Sequence, residues 1–406
     1  MGAQLRTGTW KVQEMKAVPR RIISFRLAAM AMAILFVPSF GACTNAPDPP
    51  DQLSPTARPS TGPAFVSVLE KYSEDMRDAG APAVLIQMKS RVGEWSTAVG
   101  VRSLTNQEPV HLADQVHVGA LTTSMVAVSV LKLVEEGRVR LDEPITRYVP
   151  ELENLIHPPP SVTVRSLLSH RSGMPSYWEG DVAPSLRDGL AKRFSHEDRL
   201  AIAAASPWNS KGSTGTFIYS ESDYSALALL VEKLRGRNLG EVLQTDIMEP
   251  LGLRDTLMMG EQTAPQKMIH GYILEKDERI DTTLSAFNIG SADTGMISSI
   301  PDINAFFAAL TQGKLLKPRT FTEMQSPNQD YGLGLMKRYD PCSNNYYYGH
   351  SGVTLGYGTL ALTSADGSRQ IAIAVSRPLS PELVGYDDGP AFQMMQVALE
   401  ALNKAC

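Results

Sequence analysis

The chain has little cysteine: three residues in 406, at Cys43, Cys342 and Cys406. There is no CxxC pair and no histidine-rich tract, and His196-Glu197-Asp198 does not continue into the HExxH pattern of a zinc protease. A disulfide-dense scaffold and the common thiolate and zinc-protease sites are therefore excluded, and neither a metal nor a cofactor is expected. Basic excess is missing too. The formal net charge is −5, and residues 1–42 hold six of the 38 Lys/Arg but one of the 43 Asp/Glu. The remaining chain carries 32 basic against 42 acidic side chains. So acidic a body gains nothing from a phosphate backbone, so no nucleic-acid partner is expected. Long apolar runs are also absent. Leu27–Val37 is uncharged but too short to cross a bilayer, which takes ~20 residues.

What is present begins with that short run. Lys16, Arg20, Arg21 and Arg26 precede it, and Gly41, Ala42 and Cys43 follow it. A basic segment, an apolar core and small residues before a cysteine have the form of a bacterial lipoprotein export signal. Residues 1–42 are read as that signal and Cys43 as the lipid acceptor. The expected location is extracytoplasmic, with the membrane as a partner through the anchor. Residues 43–62 are rich in Pro, Ser, Thr and Asp, a composition that builds a semi-extended tether rather than a core.

From residue 63 to 406 the pattern is that of one folded domain. Phe65, Val68, Leu69, Tyr72 and Met76 recur at helical spacing over 64–79, with Gly80 placed as the stop. Strands are predicted over 83–90 and 94–101, and a long helix over 120–136 before Gly137. The middle, roughly 140–285, reads as helical and loop-rich. The last quarter, YGLGLMKRY, NYYYGH, YGTLALT and RQIAIAVS, reads as strands, closed by a helix over 391–403. The implied fold class is α/β of the α+β kind. An antiparallel sheet built from both chain ends is flanked by helices and carries a mostly helical insert. Cys342 and Cys406 could close a disulfide tying the last helix to a loop before a late strand, or remain two free thiols.

Several stretches then fall in a telling order: VHVGALTTSMVAVSVLKLVEEGRVRLDEPI, VTVRSLLSHRSGMPSY, STGTFIYSESDYSALALLVEKLRG, GMISSIPDINAFFAALTQGKLL and YGHSGVTLGYGTLAL. Together they resemble the serine β-lactamase/DD-peptidase family, in the branch of class C β-lactamases, DD-peptidases and related esterases. The resemblance covers about residues 63 to 405. It implies a β-lactamase/transpeptidase-like fold and acyl-transfer chemistry. In that chemistry a serine at a helix start attacks a carbonyl and a lysine one turn later helps take its proton. A tyrosine relays protons and a Lys/His–Thr/Ser–Gly strand forms the opposite wall. Backbone N–H groups of the serine and of a strand residue hold the developing oxyanion.

Here the serine position is Ala120 and the lysine position is Thr123, in Gly119-Ala120-Leu121-Thr122-Thr123. The tyrosine is kept as Tyr219, with Glu221 where the family has asparagine, and the wall motif is kept as His350-Ser351-Gly352 before Val353. The resemblance thus implies Tyr219 and His350 as the retained catalytic positions. Ala120, Thr123, Glu221, Ser351, Gly352 and Val353 would line the substrate site. His170 in SHRSG is read as structural, and Ser129-x-x-Lys132 as helix filler. Two functions follow. One is a catalytically silent homologue that binds a small molecule or cell-envelope component. The other is a peptidase-, esterase- or β-lactamase-like enzyme with altered, non-acyl-enzyme chemistry on Tyr219, His350 and Glu221.

Overall fold

Alternation in the strands decides the layers. In the computed structural model, described over residues 62–180, 186–212, 215–260, 265–275, 278–326, 330–376 and 390–406, residues from 62 onward form one unit. The export signal, Cys43 and the tether up to residue 61 lie outside the described residues. The strands in chain order are β1 Ala83–Ser90, β2 Gly93–Gly100, β3 Gln115–His117, β4 Leu257–Met258, β5 Tyr272–Glu275 and β6 Glu278–Asp281. They continue with β7 Met296–Ser299, β8 Met336–Asp340, β9 Asn345–Thr354, β10 Tyr357–Ser364 and β11 Gln370–Ser376. The main sheet has the order β2-β1-β11-β10-β9-β8, every neighbouring pair antiparallel. The two N-terminal strands join the C-terminal ones through β1 and β11, with Leu85 opposite Ala374. The sheet made from both chain ends is thus what the structure contains.

One face of this sheet carries Val84, Ile86, Met88, Ile371, Ile373 and Val375, which pack with the helices Val66–Asp78 and Pro390–Lys404. The other face carries Leu85 and the small Ala361, Ala372 and Ala374, which belong to the larger core around the helix Leu121–Glu135. Successive side chains of a strand point to opposite faces, so two different cores can be read from one strand. Small residues on the inner face let the helix Ile300–Thr311 lie close against β10 and β11. The helix Leu121–Glu135 is buried on all sides over its first eleven residues, which carry no charged side chain. Ser129 is fully buried in it.

The predicted elements are met at Val66–Asp78, β1, β2, Leu121–Glu135 and the final helix. Two differences stand out. In YGLGLMKRY only Met336 onward forms a strand, β8, because Gly334 takes φ +69 and packs on the helix Leu121–Glu135. A Cβ there would stand 2.5 Å from Ala127 Cβ. The middle, read as helical and loop-rich, contains the helices Glu221–Arg235 and Leu239–Leu243, but also the hairpin β5–β6. Residues β3, β7 and β4 make a separate three-stranded sheet under the helix start.

Cys342 and Cys406 are joined, with Cα atoms 5.6 Å apart and a separation of 64 positions in sequence. That spacing of Cα atoms is ordinary for a disulfide. Cutting it by Cys342→Ser should lower unfolding stability by about 2–4 kcal/mol through the freed loop entropy. Urea titration of wild type against the variant, both without reductant, checks this.

Candidate active site

The site is built where two bare backbones meet. Gly119 sits between β3 and the helix Leu121–Glu135 with φ +56, a left-handed turn that glycine takes without strain. A Cβ on Gly119 would stand 3.1 Å from Val353 N, and one on Gly352 would stand 2.8 Å from Ala120 N and 2.2 Å from Val118 O. Strand β9 therefore lies directly on the helix start, with Gly352 and Val353 facing Gly119 and Ala120. Thr359 Oγ1 donates to Val118 O at 2.7 Å and fastens β10 to the same corner. Gly352→Ala must push β9 off the helix, with an expected cost of about 1–3 kcal/mol of overpacking. A drop in melting temperature checks this, alongside Ser351→Ala, for which little change is expected.

Ala120 is the residue preceding the helix, 4% exposed, with φ −66 and ψ −1 and no side-chain cap. Its methyl group offers no atom that can attack a carbonyl. The hydroxyls nearby are committed to backbone. Thr122 Oγ1 donates to Gly119 O at 2.7 Å and accepts from Met296 N at 3.2 Å. Thr123 Oγ1 donates to Ala120 O at 2.7 Å, and Ser124 Oγ donates to Gly334 O at 2.7 Å. Each has given its one proton to a carbonyl, and none has a lysine beside it as activating base.

His350 closes the corner. Its Nδ1 lies 2.6 Å from Ser351 O, and a carbonyl can only accept, so Nδ1 carries the proton and Nε2 is the acceptor. Tyr331 O–H then donates to Nε2 at 3.0 Å, while Thr123 Oγ1 stands 3.3 Å from the same nitrogen. Burial pushes His350 down to about 4, so the ring is neutral at pH 7. Burial likewise raises the Tyr331 phenol above its usual range. The Thr123 position, where the family pattern has lysine, is thus occupied by an uncharged cluster of Thr123, Tyr331 and His350.

Tyr219 reaches this cluster through aromatic rings. It is half-buried and its ring lies 4.2 Å from that of His170. His170 in turn stands 5.3 Å from Tyr331 and 5.9 Å from Phe217. His170 adopts φ +52 and is fully buried, with Nδ1 3.0 Å from Asp223 Oδ2. Ser172 Oγ donates to the other oxygen of Asp223 at 2.5 Å. Burial drives His170 down to about 3 and Asp223 well up, so both groups are pushed toward their neutral forms. The reading of His170 as a structural loop residue agrees with this packing.

Glu221 and Ser351 stand apart from that corner. Glu221 is the first residue of the helix Glu221–Arg235, where the helix dipole favours a carboxylate, and its Oε2 accepts from Ser176 Oγ. The partners of His350 are Tyr331, Thr123 and Ser351 O, so no His350–Glu221 pair spans the cleft. Ser351 alternates to the opposite side of β9, its Oγ 3.5 Å from Met336 Sδ. The structure thus brings Ala120, Thr123, His350, Gly352 and Val353 together, joins Tyr219 to them through the tilted rings of His170 and Tyr331, and leaves Glu221 and Ser351 on their own contacts. Tyr331 and Phe217 were not singled out from sequence. The one signal for Tyr331 was a β-rich stretch, YGLGLMKRY, and nothing in it marks a partner for His350. Among the described residues, no three His, Cys, Asp or Glu side chains gather as a metal site would require.

The sequence over residues 71–391 is matched by a family model described as Beta-lactamase. The chain belongs to the beta-lactamase family. Penicillin-binding protein 4* of Bacillus subtilis (strain 168) is 24% identical over 294 residues, which is 66% of this chain and 62% of that protein. The chain thus spans under two thirds of that relative's length. Esterase EstB of Burkholderia gladioli is 28% identical over 47% of this chain and 49% of its own. Among solved structures, a D-stereospecific amidohydrolase from Streptomyces sp. is 27% identical with a TM-score of 0.68, covering 77% of this chain and 94% of that one. The D-amino acid amidase from Ochrobactrum anthropi SV3, 21% identical, superposes with a TM-score of 0.71 over 84% and 99%. This beta-lactamase family chain therefore has the antiparallel sheet and flanking helices of its serine-hydrolase-like relatives, with alanine at the head of the helix.

Proposed function

We propose that this chain is a catalytically silent member of the family, exported and held at the cell envelope through a lipid on Cys43, that binds a ligand or partner in its cleft. The observation that carries the reading is Ala120 at the helix start, with Thr122, Thr123 and Ser124 all donating to backbone carbonyls. A nucleophile and its base are missing together. Loss of a serine nucleophile costs about six orders of magnitude in rate, roughly 8 kcal/mol of barrier. The altered-chemistry reading has less support, since Glu221 and His350 belong to separate hydrogen-bond networks.

The ligand class follows from charge and from the relatives. The corner holds a neutral imidazole and phenols in place of the family's lysine, which weakens any claim on a carboxylate. One solved relative is described as a D-stereospecific amidohydrolase and another as a D-amino acid amidase, which supports an amide-bearing, uncharged or cationic ligand. The test is turnover of nitrocefin and of a p-nitrophenyl ester by the purified chain. No rate above buffer is expected. Family-like turnover that Tyr219→Phe abolishes would reject the proposal. The anchor is tested separately by palmitate labelling in a bacterial host, which Cys43→Ser should abolish.

A further inference from the structure

Scattered apolar side chains on a surface, such as Val92, Leu284 and Tyr339 here, are ordinary. Phe217, 42% exposed, differs in what lies behind it. Its ring is 5.3 Å from that of Tyr331, and Tyr331 is in turn 5.5 Å from the ring of His350. An open phenyl group therefore stands one ring away from the corner where His350 meets Thr123. Local backbone holds it there. Ile218 N donates to His170 O at 2.7 Å, and the side chains on either side, Phe217 and Tyr219, both lay their rings against the His170 imidazole, at 5.9 and 4.2 Å. Tyr219 is itself half-buried, so two partly open aromatic rings lie side by side.

The character of this wall follows from its other neighbour. Arg171 lies over the Phe217 ring, its guanidinium carbon 5.7 Å from the centroid. A ring whose electrons already hold one cation is a poor place for a second, so the open side suits a neutral group. A planar ring fits it best, since offset and edge contacts between aromatic rings add attraction beyond the area they cover. The corner supplies the other end. Ala120 N donates to no backbone carbonyl among the described residues, and a Cβ on Gly352 would stand 2.8 Å from it. Bare backbone thus walls a donor that needs an acceptor, and an amide oxygen is one.

We propose, resting on the reading of the cleft as an amide-binding site, that Phe217 is its specificity-determining residue and takes the aryl group of a neutral arylalkyl amide. The amide oxygen accepts from Ala120 N, and a short alkyl link carries the ring across Tyr331 to Phe217.

The experiment is ligand-observed NMR titration of the full chain with 3-phenylpropanamide, 3-cyclohexylpropanamide and propanamide. The phenyl compound is expected to bind at least tenfold more tightly than propanamide and severalfold more tightly than its cyclohexyl analogue. Phe217→Ala should erase both preferences and leave the weak binding of propanamide unchanged, whereas Phe217→Tyr should keep them. Phe217→Leu, which stays apolar, should lose the preference for phenyl over cyclohexyl and decides the matter if Phe217→Ala fails to fold. Equal affinity for the two ring compounds, a preference that survives Phe217→Ala, or no binding of any amide each overturns the assignment. Equal binding of propanamide and 3-phenylpropanamide also overturns it while leaving the amide-binding reading intact. Appearance of 3-phenylpropanoate in the spectra rejects catalytic silence alone, with the ring preference still read from the same titration.

Discussion

Ala120→Ser with Thr123→Lys is expected to turn an inert protein into one that a fluorescent penicillin labels covalently, while the unaltered chain stays dark on the same gel. The argument is geometric. Gly119, Gly352 and Val353 still bring β9 against the helix start, so the backbone walls around residue 120 are kept. Ala120 has φ −66 and ψ −1 rather than the extended backbone of a capping residue, so a serine there is not set to turn its Oγ onto the helix N–H groups. Residue 123 lies one helical turn on and beside His350 Nε2, so a lysine there enters the same corner and meets the nitrogen that now accepts from Tyr331. The serine alone should gain little, because a hydroxyl without an activating base is a poor nucleophile. The pair together is asked to recover a large part of the roughly 8 kcal/mol that a nucleophile contributes. Labelling of the double variant, lost on adding Tyr219→Phe, would show that only reacting groups were missing. An unlabelled but folded double variant would show that the aromatic cluster of Tyr331 and His350 has reshaped the pocket.

Acid should destabilise this protein before its exposed carboxylates are protonated. His117 and His350 are buried and pushed down to about 4, and His196 to about 3, each by desolvation first. In the unfolded chain a histidine titrates near 6.5. Below that pH the unfolded state binds protons that the folded state refuses, so stability falls as pH drops from about 6.5 toward 4 and is fully present only above 6.5. Each group accounts for on the order of 3 kcal/mol across the window, against a total stability of about 5–15 kcal/mol for an ordinary domain. His170 is left out of this reckoning because its proton is coupled to Asp223, whose own shift runs the other way. Urea titrations at pH 7.5, 6.5, 5.5 and 4.5 should show the loss. His117→Gln should flatten the slope if its fold survives, since His117 Nε2 bonds only Thr283 O at 3.0 Å. A flat profile between pH 6.5 and 4.5 would contradict the burial argument.

Much of the architecture is written in local pattern. The helix Val66–Asp78 follows from its apolar spacing, and β1 and β2 follow from β-rich runs around Gly93. The segments β10 and β11 follow from short β-rich runs and the turn at Gly367, whose φ is +72. What local pattern could not supply is whatever depends on a distant neighbour. YGLGL reads as strand by composition but is pulled into a turn because Gly334 must clear Ala127. Strand β3 is three residues long and exists because β7 lies beside it, 180 residues away. The candidate site divides in the same way. Ala120, Thr123, Tyr219 and His350 are legible from motif order, because each sits at a fixed place in an ordered set. Tyr331 and the pairing of His170 with Asp223 are not, because no spacing rule relates residues 331 and 350 or 170 and 223.

By itself the chain's order of residues determined that residue 120 carries a methyl group and residue 123 no amine, and chemistry needs nothing further to forbid an ester at that point. Tertiary structure alone decided what replaced them: which hydroxyl faces His350, that its ring is neutral, and that Glu221 turns to Ser176 instead. The reason is that covalent identity is local, whereas a proton's position and a side chain's partner are set by burial and by whichever groups the fold brings within about 3 Å.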